Sequence, residues 1–295
     1  MIEKTYKDIN DKKNKKFFKN EREYTKYKKD KLKEIKNIEN IDRVFLSRYE
    51  KRPKAKDFIE NILDEFIYLH GDRYYGDDKS LIGGIGKISD KIVTFIGIDK
   101  GADLKESVEK NFGMAHPEGY RKAIRLMKQA EKFKRPVVIF IDTPGAYPGV
   151  EAEKRGQFEA IAESIKTMTS LNIPVISIIT GEGCSGGAIG LAVCDYLIML
   201  ENSTYSILSP EGFASILWKN SKDIKNAVNI MKMTSYDLFS YKICDEIIPE
   251  KLGNEITDFE ESFNLLKNSI YSKITEFEKI SNEYLLNKRK RKFEI

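Results

Sequence analysis

The hydrophobic pattern separates the middle of the chain from its two ends. In the middle, continuous apolar runs at 137–141, 173–180 and 196–200 are typical of strands buried on both faces of a sheet. Apolar positions at helical spacing precede the first of these runs, over 120–133, and separate it from the second, over 151–170. This alternation of strand and helix predicts an α/β fold around a core sheet.

The same periodicity predicts further elements and the faces that they bury. The stretches 81–88 and 92–98 indicate paired strands joined by a turn at 89–91. A helix is expected over 57–69, with one apolar side formed by Phe58, Ile62, Phe66 and Ile67. The helix over 151–170 is expected to face inward through Phe158, Ile161, Ile165 and Met168.

Spaced apolar residues among many charges predict helices at both ends. Before residue 55 they indicate one or two basic amphipathic helices, and over 259–295 one long helix that packs on another. We therefore expect an N-terminal basic helical region (1–69), a central α/β domain (70–250) and a C-terminal helical region (251–295).

Charge and cysteine content narrow the class of protein. The net charge is +5, with 33% charged residues, and the lysines crowd both ends. Basic ends are typical of segments that bind nucleic acid or an acidic partner, and also of a helix face that is simply exposed to solvent. The cysteines at 184, 194 and 244 form no CxxC pair, which argues against a zinc site. Their odd and low number is typical of a protein in the reducing cytosol. Neither a signal peptide nor an apolar run of about 18 residues is found, so we expect a cytoplasmic protein.

Two glycine-rich turns follow two of the predicted strands, at 142–149 and 181–188. Ligands bind α/β sheets in the crevice outside the carboxyl ends of the strands. Both turns lead into helices, so their backbone N–H groups are expected to be free, and glycines let a ligand oxygen approach them. The pattern predicts an oxyanion hole; the alternative is that the glycines only permit close packing of helix on strand.

The second turn also matches the nucleophile motif G-x-S-x-G at residues 183–187. A serine hydrolase would use Ser185 with a histidine base, but His70 and His116 both precede it, in an order unlike that of α/β-hydrolases. Cys184 would gain reactivity at a helix N-terminus, or serve only as a small turn residue. No P-loop, dinucleotide fingerprint or HExxH motif is present.

The chain thus offers backbone donors for an anion and no convincing catalytic acid, base or nucleophile. Such a site suits a reaction in which the substrate carries its own base, while the protein stabilises the developing enolate or ureido charge.

Four motifs make the sequence recognisable. It resembles the alpha subunits of acetyl-CoA carboxylase carboxyltransferases in NFGMAHPEGYRKAIRLM (111–127), FIDTPGAYPGVEAEKRGQFEAIA (140–162), GEGCSGGAIG (181–190) and SPEGFASILWK (209–219). The resemblance implies a crotonase/ClpP-like spiral of β-β-α units with long N- and C-terminal helical extensions. It also implies transfer of a carboxyl group from carboxybiotin to acetyl-CoA, which forms malonyl-CoA in fatty acid synthesis.

Site residues are implied by position in these motifs. Gly186 and Gly187 match the family's oxyanion-hole amides, and Gly145 and Ala146 match its other glycine turn. The remaining positions expected to contact substrate are Gly183, Ser185, Tyr147 and Pro148. Two residues depart from the family pattern, Cys184 and Phe213, and each places a larger side chain where a small one is expected.

The resemblance also implies partners. These are a beta subunit that carries a zinc ribbon, in an alpha2-beta2 assembly, the biotin carboxyl carrier protein and biotin carboxylase. Carboxybiotin on the carrier is then a co-substrate, no cofactor is bound directly by this chain, and zinc belongs to the beta subunit. A separate hypothesis is a non-catalytic scaffold protein whose Lys-rich ends bind RNA, for which a steep salt dependence of binding would be evidence.

Overall fold

A computed structural model describes residues 38–252 and 257–292, together with residues 3–5, 7, 20, 22–23, 25–27 and 30. In chain order its longer helices are α1 (Asn40–Ser47), α2 (Ala55–Ile62), α3 (Leu104–Glu109), α4 (Pro117–Lys132), α5 (Val150–Lys154), α6 (Gln157–Ser170), α7 (Ser185–Ile189), α8 (Pro210–Trp218), α9 (Ile224–Met231), α10 (Ser235–Ser240), α11 (Glu260–Phe277) and α12 (Asn282–Lys292). A 3-10 turn covers Asn111–Gly113.

Its strands are β1 (Glu65–Tyr68), β2 (Leu81–Ile88), β3 (Lys91–Ile98), β4 (Val137–Thr143), β5 (Val175–Cys184), β6 (Tyr196–Leu200), β7 (Thr204–Ser206), β8 (Glu246–Ile248), β9 (Lys251–Leu252) and β10 (Thr257–Asp258). The main sheet has the order β1-β2-β3-β4-β5-β6-β8, and β7 pairs with the far end of β5. Strands β1 to β3 are antiparallel, whereas β3, β4, β5, β6 and β8 run parallel.

Helices cover both faces of this sheet, and each interface is a hydrophobic core. On one face, α4 and α6 pack through Tyr120, Met127 and Met168. On the other, α2 and α11 pack through Phe58 and Ile270. Every residue of β4 and β5 is buried, because parallel strands covered on both faces have no solvated side. The predicted α/β fold with a core sheet is confirmed.

The structure corrects the helix predicted over 57–69. The helix ends at Ile62, and residues 65–68 form β1, antiparallel to β2. Within β1 the exposed residues Glu65 and Ile67 alternate with the partly buried Phe66 and Tyr68. Over a stretch of only four residues, the period of two of a strand cannot be told from one side of a helix by apolar spacing alone.

Two further helices are shorter than predicted. The helix expected over 151–170 is divided at Gly156, which has φ +81° and ends α5 before α6 begins. Phe158 lies in the first turn of α6 and is 76% exposed, so its predicted inward orientation is wrong. The helix expected over 259–295 is two helices, α11 and α12. Part of the predicted N-terminal helical region, mainly within 8–19 and 31–37, lies outside the described residues, and the three-part domain division stays a prediction.

Helix α12 is held to the sheet by Arg289, whose side chain is fully buried. Its guanidinium pairs with Asp195 at 2.6 Å and donates to the carbonyl oxygens of Met168, Leu171 and Ile173 at 2.7–2.9 Å. None of the helices in the described ranges combines the length and apolarity needed to cross a membrane.

Candidate active site

The two glycine turns meet at the carboxyl ends of β4 and β5. A Cβ built on Gly187 would stand 2.5 Å from the carbonyl carbon of Gly145 and 2.6 Å from the nitrogen of Ala146. Only glycine permits this approach, since real Cβ contacts are not this short. Gly145 itself has φ +148°, a conformation that favours glycine. The structure therefore brings together the two turns that the sequence pattern singled out.

The open donors at this contact are three main-chain amides. Within the described part of the chain, the N–H groups of Gly186, Gly187 and Ala146 donate to no protein acceptor. Gly145 differs, because its N–H donates to Thr143 Oγ1 at 3.0 Å. The expectation of free amides in both turns is thus wrong for Gly145, whose donor is satisfied by a side chain two residues earlier.

Buried side chains hold both turns in place. The Tyr120 hydroxyl donates to the Gly187 carbonyl oxygen at 3.3 Å, and burial raises the pKa of this hydroxyl, so it remains a donor. On the other turn, Gln157 Nε2 donates to the carbonyl oxygens of Ala115 and Tyr147 at 2.8 and 3.0 Å. The donors therefore sit on a rigid support, as charge stabilisation requires.

Charged side chains surround the ends of the parallel strands. Lys100, just after β3, lies 2.6 Å from Asp142 of β4. Glu182 of β5 pairs with Arg48 at 2.7 Å, and Arg48 also pairs with Glu211 at 2.7 Å. Burial opposes the charge on Arg48, but the two carboxylates outweigh it and raise its pKa. The acids and bases of this cluster are therefore paired with one another.

Comparison with known families fits this arrangement. The sequence model of the family described as acetyl co-enzyme A carboxylase carboxyltransferase-like matches residues 2–295. The chain belongs to this carboxyltransferase family. The prediction drawn from the four motifs, a carboxyltransferase alpha subunit, is confirmed.

The names of proteins with similar sequences agree with this family assignment. The chain is 52% identical, over 85% of its length, to the acetyl-coenzyme A carboxylase carboxyl transferase subunit alpha of Staphylococcus saprophyticus and to that of Clostridium botulinum strain Alaska E43, spanning 80% and 92% of those proteins. It is 53% identical to the Clostridium tetani protein named subunits beta/alpha, over 86% of this chain but only 44% of that longer protein.

Solved structures share the fold at low identity. Transcarboxylase 12S superposes with a TM-score of 0.61 and 16% identity, over 82% of this chain and 44% of that chain. A Pseudomonas malonate decarboxylase hetero-tetramer superposes with a TM-score of 0.62 and 14% identity, over 79% of this chain and 90% of that chain. The predicted crotonase-like architecture is confirmed by these neighbours.

In this carboxyltransferase, Ser185 lacks the partner that a hydrolase needs. It lies at the strand-to-helix turn with φ +57°, as a nucleophile elbow would. The His116 ring, however, contacts Asp78 and Asn111 through Nδ1 and stacks on Tyr147 with centroids 4.3 Å apart. His70 pairs with Asp77. No hydrogen bond joins either imidazole to Ser185 within the described residues.

The cysteines are buried and poorly suited to nucleophilic chemistry. Cys184 is 3% exposed, and burial, aided by the nearby Glu182 carboxylate, raises the pKa of its thiol. Burial also raises the pKa of Cys194 to about 11 and that of Cys244 to about 12. Phe213, the other departure from the family pattern, packs edge-on against Trp218 within α8. Among the described residues, no three His, Cys, Asp or Glu side chains converge to hold a metal ion.

The other predicted positions frame the meeting point of the turns. Gly183 pairs with Thr143 of β4 and with Tyr205 of β7. Ser185 and Tyr147 are partly exposed, and Pro148 is exposed. A cavity of about 510 Å³ lies elsewhere, under α1 and beside α8 and α9. It is lined by Arg48 and by none of the predicted site residues.

Sequence reasoning missed the residues that support the turns. The sequence pattern places Tyr120 only within a predicted helix, and neither Lys100 nor Gln157 is among the predicted site residues. One signal was available for Lys100: it lies two residues after a buried strand, while Asp142 lies near the end of another, and parallel strands present their carboxyl ends at one edge. That β3 runs parallel to β4 was not apparent from its antiparallel hairpin with β2.

Proposed function

We propose that this chain, as the alpha subunit, transfers the carboxyl group of carboxybiotin to acetyl-CoA and so forms malonyl-CoA. Membership of the carboxyltransferase family supports the reaction class. The observation that carries the assignment of the site is that, in the part of the chain that the structure describes, the amides of Gly186 and Gly187 donate to no acceptor where the two glycine turns meet.

In this proposal the amides of Gly186 and Gly187 stabilise the negative charge that develops on the ureido oxygen of biotin. When the bond between the carboxyl carbon and the ureido nitrogen breaks, its electron pair stays on the ureido group and CO2 is released. Each well-aimed donor would lower the barrier by about 3 kcal/mol. The Ala146 amide, against which Gly187 packs, would contribute from the first turn.

The proton transfer then needs no side-chain base from this subunit. The ureido nitrogen takes a proton from the acetyl methyl group, and the resulting enolate attacks CO2 to give malonyl-CoA. The protein holds the two substrates together and excludes water. This division of labour is supported by Ser185, which makes no hydrogen bond to His70 or His116 among the described residues, and by Cys184, whose thiol is buried.

We further propose a separate beta subunit, which would carry the zinc ribbon and most of the acetyl-CoA site, in an alpha2-beta2 complex in the cytoplasm. The Clostridium tetani relative is named for both subunits, and this chain spans 44% of it. Val150 and Phe158, next to the first turn, are 65% and 76% exposed, which supports a partner surface there. Biotin carboxylase and the carrier protein would supply carboxybiotin.

The test is a malonyl-CoA assay with the beta subunit of the native cell and carboxylated carrier protein. We expect transfer only when both subunits are present, and little change on Ser185→Ala. A serine hydrolase would instead lose roughly 10⁴-fold or more of its activity with that substitution. Absence of malonyl-CoA formation by the assembled wild-type complex would refute the proposal.

A further inference from the structure

We propose that Asp142 is a positioning residue for the transfer site. Its carboxylate binds the end of β5 to β4, a contact between Asp142 and residues 181–182 that we call the clasp. This contact sets the distance between the two glycine turns. The inference rests on the proposed function, because it assigns a role within the same site.

The pairing of β4 with β5 changes register beside Asp142. Ile141 pairs with Ile179, but Thr143 pairs with Gly183, so residues 180–182 stand opposite Asp142 alone. A bulge of this kind leaves backbone groups without ladder partners. Here the Glu182 N–H donates to Asp142 Oδ1 at 2.9 Å. The carboxylate therefore takes the place of a missing ladder acceptor.

The clasp is tightly packed and balanced in charge. A Cβ built on Gly181 would stand 2.6 Å from the Asp142 carboxyl carbon, so the strand lies directly on the carboxylate. Asp142 is 2% exposed, and Lys100 Nζ lies 2.6 Å from its Oδ1. A buried carboxylate is tolerated only with such a partner. Lys100 thereby ties the end of β3 to the same point.

Both turns start at this clasp. Asp142 is followed directly by Thr143, whose hydroxyl oxygen lies 2.7 Å from the carbonyl oxygen of Gly145. Glu182 leads through Gly183 to the helix that carries Gly187. A shift of either strand end would move Gly187 relative to Gly145. A misplacement of about 1 Å at an active site can cost about 100-fold in rate.

The experiment uses the assembled complex with Asp142→Asn, Asp142→Ala and Lys100→Met, and Asp90→Ala as the control. The Asp90 side chain is 66% exposed, and it lies in the turn before β3, at the opposite end of that strand from Lys100. We expect kcat to fall about 100-fold for Asp142→Ala, with KM for acetyl-CoA within about two-fold. Asp142→Asn, which keeps an oxygen for the Glu182 N–H, should lose about 10-fold, and Lys100→Met a similar amount.

Hydrogen exchange provides a readout independent of catalysis. The amides of 181–187 should exchange about 10-fold or more faster in Asp142→Ala and at the wild-type rate in Asp90→Ala. If Asp142→Ala does not fold, Asp142→Asn and Lys100→Met carry the same test. Wild-type kcat in the variants, or a change confined to KM, overturns the proposal. An inactive wild-type complex would instead refute the proposed function, and exchange would still report on the clasp.

Discussion

Gly187 rests on the peptide bond that follows Gly145, so closely that a Cβ on Gly187 would stand 2.5 Å from the Gly145 carbonyl carbon. Two turns, separated by about forty residues of sequence, thus form one surface of main-chain donors. Neighbouring Gly186 differs, because a Cβ there would meet only Ile161 at 3.6 Å, an ordinary contact.

This difference predicts unequal effects of alanine in the second turn. Gly187→Ala should push the turns apart and lower the rate of malonyl-CoA formation about 100-fold or more, because the main-chain N–H groups would no longer point at the developing charge. Gly186→Ala keeps the N–H group and has room for the added methyl group, so its rate of malonyl-CoA formation should fall much less. The measurement is kcat of the assembled complex.

Gly76→Ala is the control for this pair, because a Cβ on Gly76 meets nothing within 4 Å. Its rate should equal that of the wild type. Equal losses for Gly186→Ala and Gly187→Ala would contradict the steric argument.

Loss of the buried Arg289 should destabilise the protein strongly. Arg289→Met removes the guanidinium with all of its hydrogen bonds and leaves Asp195 buried without its counter-charge. Breaking a buried pair from one side costs about 3–5 kcal/mol. The free energy of unfolding, measured in urea, should fall by that amount, and α12 should become sensitive to protease.

Arg291→Met is the matched control, because Arg291 is exposed on the same helix. A surface substitution of this kind should change the free energy of unfolding by less than about 0.5 kcal/mol. If both variants unfold alike, the buried pair is not what anchors α12.

Acid should weaken the segment around Asp72 in a defined pH range. Burial opposes ionisation of Asp72, but the N–H groups of Tyr74, Tyr75 and Gly76 together with Arg121 outweigh it and lower its pKa to about 2. A pKa lowered on folding stabilises the protein above the unfolded value of about 3.9. That stability is lost as the pH falls from about 4 to 2.

The test compares unfolding of the wild type and Asp72→Asn between pH 6 and pH 2.5. The wild type should be more stable at pH 6, and its advantage should shrink by about 2 kcal/mol towards the acid end. Asp90→Asn, at an exposed carboxylate, should show a much smaller change. A constant gap between the wild type and Asp72→Asn would show that this carboxylate is not linked to folding.

The thiols should be inert in the folded protein. Cys184, Cys194 and Cys244 are at most 3% exposed, and burial raises the pKa of each. Because the thiolate is the reactive form, iodoacetamide at pH 8 should leave all of them unlabelled by mass spectrometry and leave transfer intact. The same reagent should label them in guanidinium chloride. Rapid labelling of Cys184 in the native state would restore it as a candidate nucleophile.

The sequence by itself determined the family, the α/β class and the place of both glycine turns. Those signals are local: a buried strand is a continuous apolar run, and a turn that carries donors needs glycine within a few residues. The strands at 137–141 and 196–200 were found for the same reason, and the fully buried pattern of β4 agrees with it.

Only the tertiary structure decided which groups meet. It made residues 65–68 a strand, exposed Phe158, satisfied the Gly145 N–H through Thr143, and brought Lys100, Asp142 and Glu182 to one edge. The meeting of Lys100, Asp142 and Glu182 depends on the register and direction of β3, β4 and β5, whose ends lie about forty residues apart in the sequence. Periodicity reports which side of an element is buried, but contacts between elements are set by how the whole sheet is assembled.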